Sequence, residues 1–93
     1  MILTFKCRDT ERIWDMLSTR RFPPEVQRAA RRKLVMIDAA QAAQDLRTPP
    51  GNRLEALKGD RAGQHSIRVN DQYRICFVWT GRDAEDVELV DYH

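Results

Sequence analysis

Two periodicities divide the chain. Up to about residue 46 apolar positions recur every three to four residues, as on one face of a helix, and from residue 54 onward they alternate as in strands. Ahead of both, Ile2–Lys6 reads as a short strand. Asp9 or Thr10 can cap a first helix with Ile13, Trp14 and Leu17 on one face. That helix stops before Phe22-Pro23-Pro24, because a proline disfavours the helical conformation in the residue ahead of it. Pro24 suits the first turn of a second helix, with Glu25 near the positive end of its dipole. The apolar stripe of the second helix is Val26, Ala30, Leu34 and Ile37, continuing to the polar Gln41. This helix is expected to end near Leu46, ahead of the breaker Thr48-Pro49-Pro50-Gly51-Asn52.

Leu54–Leu57 is a short candidate strand, followed by the turn-rich stretch Lys58–Gly63. Gln64–Val69, Tyr73–Trp79 and Glu85–Tyr92 alternate, with breaks at Asn70-Asp71 and at Thr80–Asp83. The order β-α-α-β-β-β-β predicts an α+β fold in one domain, residues 1–93, with two helices on one face of a mostly antiparallel sheet. Ile67 and Val69, then Tyr73, Ile75, Phe77 and Trp79, then Val87 and Leu89, form the sets that should meet under the helices. Keeping the first two sets together requires a three-residue loop, Asn70-Asp71-Gln72, since a two-residue loop would turn Arg74 under the helices. Arg68, Arg74 and Tyr92 are thereby expected on the uncovered face, where surface ion pairs to Glu88 or Asp91 are the plainest explanation of the arginines. His65 alternates with Ile67 and is read as structural, as are Trp14, Phe77 and Trp79, and nothing around Cys76 argues for an activated thiolate.

Composition narrows the class. At 42% apolar and 32% charged residues this is an ordinary globule, not a disordered chain. Two cysteines make no disulfide framework and no zinc-ligand spacing is present, so neither a metal nor another cofactor is expected. The absence of a leader-like start and of any long apolar run predicts a cytoplasmic protein that does not engage a membrane. The net charge of +2 is unevenly placed: residues 1–74 carry fifteen Lys/Arg against nine Asp/Glu, and residues 75–93 one against five. A basic body suits a polyanion such as RNA, although Arg28, Arg31, Arg32 and Lys33 read equally as the wet face of a helix.

The run Leu57-Lys58-Gly59-Asp60-Arg61-Ala62-Gly63, then Ser66-Ile67, Tyr73-Arg74-Ile75 and a closing Asp91-Tyr92-His93, resembles the HigB branch of the RelE/ParE toxin superfamily across essentially the whole chain. The resemblance implies a RelE-like fold and a toxin of a type II toxin–antitoxin system, a ribosome-dependent endoribonuclease that cleaves mRNA in the ribosomal A site. It further implies a cognate helix-turn-helix antitoxin resembling HigA, contact with the 70S ribosome and mRNA, and contact with operator DNA only through the antitoxin. Position by position, it implicates Asp91, Tyr92, His93, Arg74 and Lys58 in catalysis, with Arg61 of the same turn motif as an RNA contact. Arg68 joins the RNA-binding set on strand parity alone. Glu55 stands where some relatives carry a histidine, three residues before the motif lysine, so the division of acid and base roles between Glu55 and His93 stays open. The alternative from another class is a non-enzymatic poison of DNA gyrase in the manner of the ParE branch, against which the joint presence of Lys58, Arg74 and His93 counts.

These residue types fit metal-free RNA cleavage, which needs deprotonation of the 2′-OH, stabilisation of the crowded phosphorane and protonation of the leaving 5′-oxygen. Arginine suits the second need through its fixed fork of donors. Histidine, with an ordinary pKa of about 6.5, suits a proton transfer near neutral pH. Asp91 and a terminal carboxylate should favour protonated His93, a general acid, while Tyr92 can stack on a base.

Overall fold

The computed structural model describes residues 1–92. The first helix, α1 (Arg8–Trp14), starts from Cys7 and not from Asp9 or Thr10. Both expected caps are used elsewhere: the Asp9 carboxylate accepts from Thr19 Oγ1 at 2.5 Å, and buried Thr10 presents Oγ1 to the Leu89 N–H at 3.0 Å. Helix α1 also ends earlier than its stripe predicts, because Met16 turns left-handed at φ 63°. Leu17 is therefore exposed and does not continue the face of Ile13.

Helix α2 (Pro24–Ala39) has proline at its first position and buries the predicted stripe Val26, Ala30, Leu34 and Ile37. It does not reach Leu46. Ala40 is extended, and Asp45 draws the Gln41 and Ala42 N–H groups onto its carboxylate at 3.0 and 3.2 Å, opening a separate 3-10 turn at Ala43–Arg47. The intervening alanines favour helix but offer no bulky side chain to bury, so a local aspartate cap outweighs propensity. Gln41 is exposed, while Leu46 returns to the core from the new turn.

Four antiparallel strands follow in sequential order: β1 (Glu55–Ala56), β2 (Gln64–Arg68), β3 (Tyr73–Trp79) and β4 (Ala84–Asp91). The expected N-terminal strand is present only as two parallel bridges, Ile2 to Ala84 and Phe5 to Val87. The loop Asn70–Gln72 has the predicted length: Val69 N–H donates to the Tyr73 carbonyl, and Asn70 Oδ1 accepts from the N–H groups of Gln72 and Tyr73, each at 2.8 Å. A bulge between β3 and β4, where Asp86 stands at φ 52°, adds a residue to β4 and turns Ala84 inward. Simple alternation along β4 misses that step. Leu34, Ile37, Ile67, Ile75, Phe77 and Leu89 have essentially no exposure and join helices to sheet. Among the described residues no helix is long and apolar enough to cross a membrane.

Candidate active site

Strand parity and the three-residue loop place Ser66, Arg68, Arg74, Cys76 and Glu88 on the sheet face away from the helices. Arg68 and Arg74 are direct cross-strand partners. Like charges opposite one another oppose folding, so each arginine needs compensation. Arg68 pairs with the exposed Asp71 of the loop, at the rim of the sheet. Arg74 is anchored more deeply. Its Nε donates to Ser66 Oγ at 2.8 Å, and its Nη2 donates to the Arg53 carbonyl at 2.6 Å and the Ser66 carbonyl at 3.3 Å. The guanidinium carbon lies 5.6 Å from the centre of the Tyr92 ring, within cation–π range, and Tyr92 is exposed. Of the acidic partners expected for these arginines, Glu88 pairs instead with Arg61 at 3.4 Å, and Asp91 accepts from Gln72 Nε2 at 3.0 Å.

The other candidates surround this pair at different distances from it. Glu55 is exposed in β1 opposite Ser66, the residue that holds Arg74. Lys58 is exposed at the start of the 3-10 turn Gly59–Arg61, and Arg61 reaches back to Gln64 Oε1 at 3.1 Å as well as to Glu88. His93 lies outside the described residues. Among the described residues no imidazole stands on this face, since His65 stacks on Phe77 on the helix-covered side with ring centres 6.1 Å apart. No group of three or more His, Cys, Asp or Glu is arranged to hold a metal ion among the described residues.

Positive charge collects around the pair from segments that the strand pattern does not connect. Burial, and then the charges of Arg32 and Arg68, lower the pKa of Lys33 on α2. Burial raises the Cys76 thiol above its ordinary value against an opposing pull from Arg61; Glu88 adds to the rise, and Arg74 and Lys6 oppose it. Arg53 was not expected at the site. The N-terminal segment docks on the edge of β4, where the Lys6 N–H bonds to the Val87 carbonyl at 3.0 Å. Arg53 contributes a backbone oxygen from a left-handed residue, for which side-chain type offers no signal. Chemically, the face offers a rigid guanidinium, further cations at its margins and an exposed aromatic ring, a set suited to a phosphodiester and an adjoining base.

Residues 3–93 match the family of the RelE-like toxin of type II toxin–antitoxin system HigB. The chain is similar to "Toxin HigB-1" of Vibrio cholerae, 49% identical over 80 residues that cover 85% of this chain and 84% of the relative. It is 31% identical to "Endoribonuclease HigB" of Proteus vulgaris over the full length of both chains. An uncharacterized protein of Haemophilus influenzae is 36% identical over 69 residues, 74% of this chain and 68% of the relative. With the two-helix, four-stranded fold and the match over nearly its whole length, the chain belongs to the HigB-like, RelE-family toxins of type II toxin–antitoxin systems.

Proposed function

We propose that this toxin is a ribosome-dependent endoribonuclease that cuts mRNA in the A site without a metal ion. The observation that carries the reading is the pair of arginines set directly opposite each other on the uncovered face, with Arg74 locked by Ser66 and the Arg53 carbonyl beneath Tyr92. Positive charge held in a fixed place stabilises a phosphorane without reorganising during the reaction. The name of the Proteus vulgaris relative supports the same activity.

In this mechanism the ribose 2′-OH gives its proton to a base, its oxygen attacks the phosphorus, and the bond to the 5′-oxygen breaks as that oxygen takes up a proton. The products are a 2′,3′-cyclic phosphate and a 5′-hydroxyl. Because Nε and Nη2 of Arg74 are engaged by the protein, the phosphate contact falls to Nη1, with Lys58 and Arg68 adding charge. Tyr92 stacks on a base, His93 transfers a proton, and Asp91 orients that ring. Glu55, beside Ser66, is the second proton-transfer candidate. So small a set of acid and base groups relies on the ribosome to position the RNA, and orientation of that kind supplies up to roughly 7–11 kcal/mol in favourable cases.

A type II toxin has a cognate antitoxin. A small helix-turn-helix repressor that carries the complex to operator DNA is the partner expected, in the cytoplasm where ribosomes are.

Primer extension on a defined mRNA, with and without programmed ribosomes, tests the function. Cuts are expected only with ribosomes, with Arg74→Ala and His93→Ala each weakening them by about a hundredfold or more. Intact mRNA under every condition with folded protein would overturn the nuclease reading, and a DNA-damage response without mRNA cleavage would put gyrase in its place.

A further inference from the structure

Arg74 is aimed by a part of the fold that the strand pattern does not contain. Its Nη2 meets the Arg53 carbonyl at 2.6 Å, across 21 residues of chain. Arg53 stands at φ 46°, ψ 56°, a left-handed conformation that residues with a Cβ adopt only when their surroundings impose it. The residue before it is firmly anchored. Asn52 is wholly buried, and its Nδ2 donates to the Leu46 carbonyl at 3.2 Å and the Thr48 carbonyl at 3.4 Å. Its Oδ1 accepts from Lys33 Nζ of α2 at 2.6 Å. One buried amide thus joins α2 to the 3-10 turn Ala43–Arg47 and to Thr48 just beyond it, with partners at both its ends.

We infer that Asn52, held by Lys33, is a positioning residue for the reaction: it fixes the Arg53 carbonyl against which the Arg74 guanidinium is set. This rests on the reading of Arg74 as the phosphate-binding residue. Asn52 itself touches no substrate. The ammonium of Lys33 stays on Asn52 although burial and the charges of Arg32 and Arg68 disfavour it, so the contact is kept against an electrostatic cost.

A thermodynamic cycle of Asn52→Ala, Arg74→Ala and the double variant, read as KM and kcat for cleavage on programmed ribosomes, tests the inference. Asn52→Ala is expected to lower kcat about tenfold or more with KM changed less than about twofold, as displacement of a catalytic group does. In the Arg74→Ala background the same substitution should change kcat by less than about twofold, because a residue acting through Arg74 has nothing left to position. Equal losses in both backgrounds, or unchanged kcat in folded Asn52→Ala, would overturn the positioning role. Full activity of Arg74→Ala would instead sink the reading beneath it, which is a separate result. If Asn52→Ala does not fold, Lys33→Met enters the cycle, since it removes a partner of Asn52 without emptying a buried position. Its loss of kcat, about threefold or more, should likewise vanish without Arg74.

Discussion

Single residues in this toxin act by satisfying backbone groups that the fold leaves exposed to desolvation. Thr10 sits where a helix cap was expected but presents its hydroxyl to the Leu89 N–H inside the protein. Thr10→Val keeps the shape and removes the acceptor, leaving a buried donor unpaired, which costs about 1–3 kcal/mol. Urea denaturation should show a loss of that size for Thr10→Val and a much smaller one for Thr10→Ser, and equal stability of the two variants would refute the assignment. Ser66 does similar work on the opposite face, where its hydroxyl and carbonyl both hold Arg74. A serine in a strand is unremarkable by pattern, and its importance comes from Arg74, which lies diagonally across from it in the next strand.

At the scale of elements, β4 decides which groups reach the open face. The bulge at Asp86 lets Ala84 and Val87 both enter the core while Glu88 stays with Arg61 outside. The cost is a left-handed aspartate, tied down through its N–H to Thr4 Oγ1 at 2.9 Å. Glycine has no such penalty, so Asp86→Gly should hold or raise stability, whereas Asp86→Val should lower it by about 1–2 kcal/mol. Thermal melts of the two variants check this, and a valine variant as stable as the glycine one would mean that the bulge relaxes. The hairpin between β2 and β3 is the counterpart that the sequence does reveal. Only its three-residue loop keeps Ile67 with Ile75 and so brings Arg68 opposite Arg74.

Across the whole molecule, acidic groups of the last strand and the turn before it are drawn into internal pairs. Asp83 meets the N-terminal amine at 3.3 Å and Glu88 meets Arg61 at 3.4 Å. Two of the five acidic groups of residues 75–93 are therefore answered within the protein, while arginines of α2 and Arg74, whose bonds run to Ser66 and the Arg53 carbonyl, are left to meet a polyanion. If the partner is ribosome-bound RNA, the second-order rate of mRNA cleavage should fall about tenfold or more between roughly 50 and 200 mM salt, as phosphate contacts are screened. Stopped-flow or quenched cleavage assays measure it, and a flat salt profile would argue against docking by phosphate contact.

What the sequence determined by itself was the set of local choices with short physical reach. Period 3.6 along Val26, Ala30, Leu34 and Ile37 marks α2, period 2 marks β2, β3 and β4, and hydrophobic parity sets the loop that exposes Arg74. The motif around Lys58 and the Asp91-Tyr92-His93 end carried the family through residue identity. Tertiary structure alone decided the rest, because those features depend on groups far apart in the chain. Helix α2 stops at Ala39 where propensity would continue it, since Asp45 captures the next amides. Asp9 and Thr10 give up capping for partners at Thr19 and Leu89. The Arg53 carbonyl becomes the seat of Arg74 only because a buried asparagine and a lysine on α2 hold a left-handed turn in place. Periodicity reports which face a side chain takes, and only the packed fold determines which backbone oxygen will be waiting there.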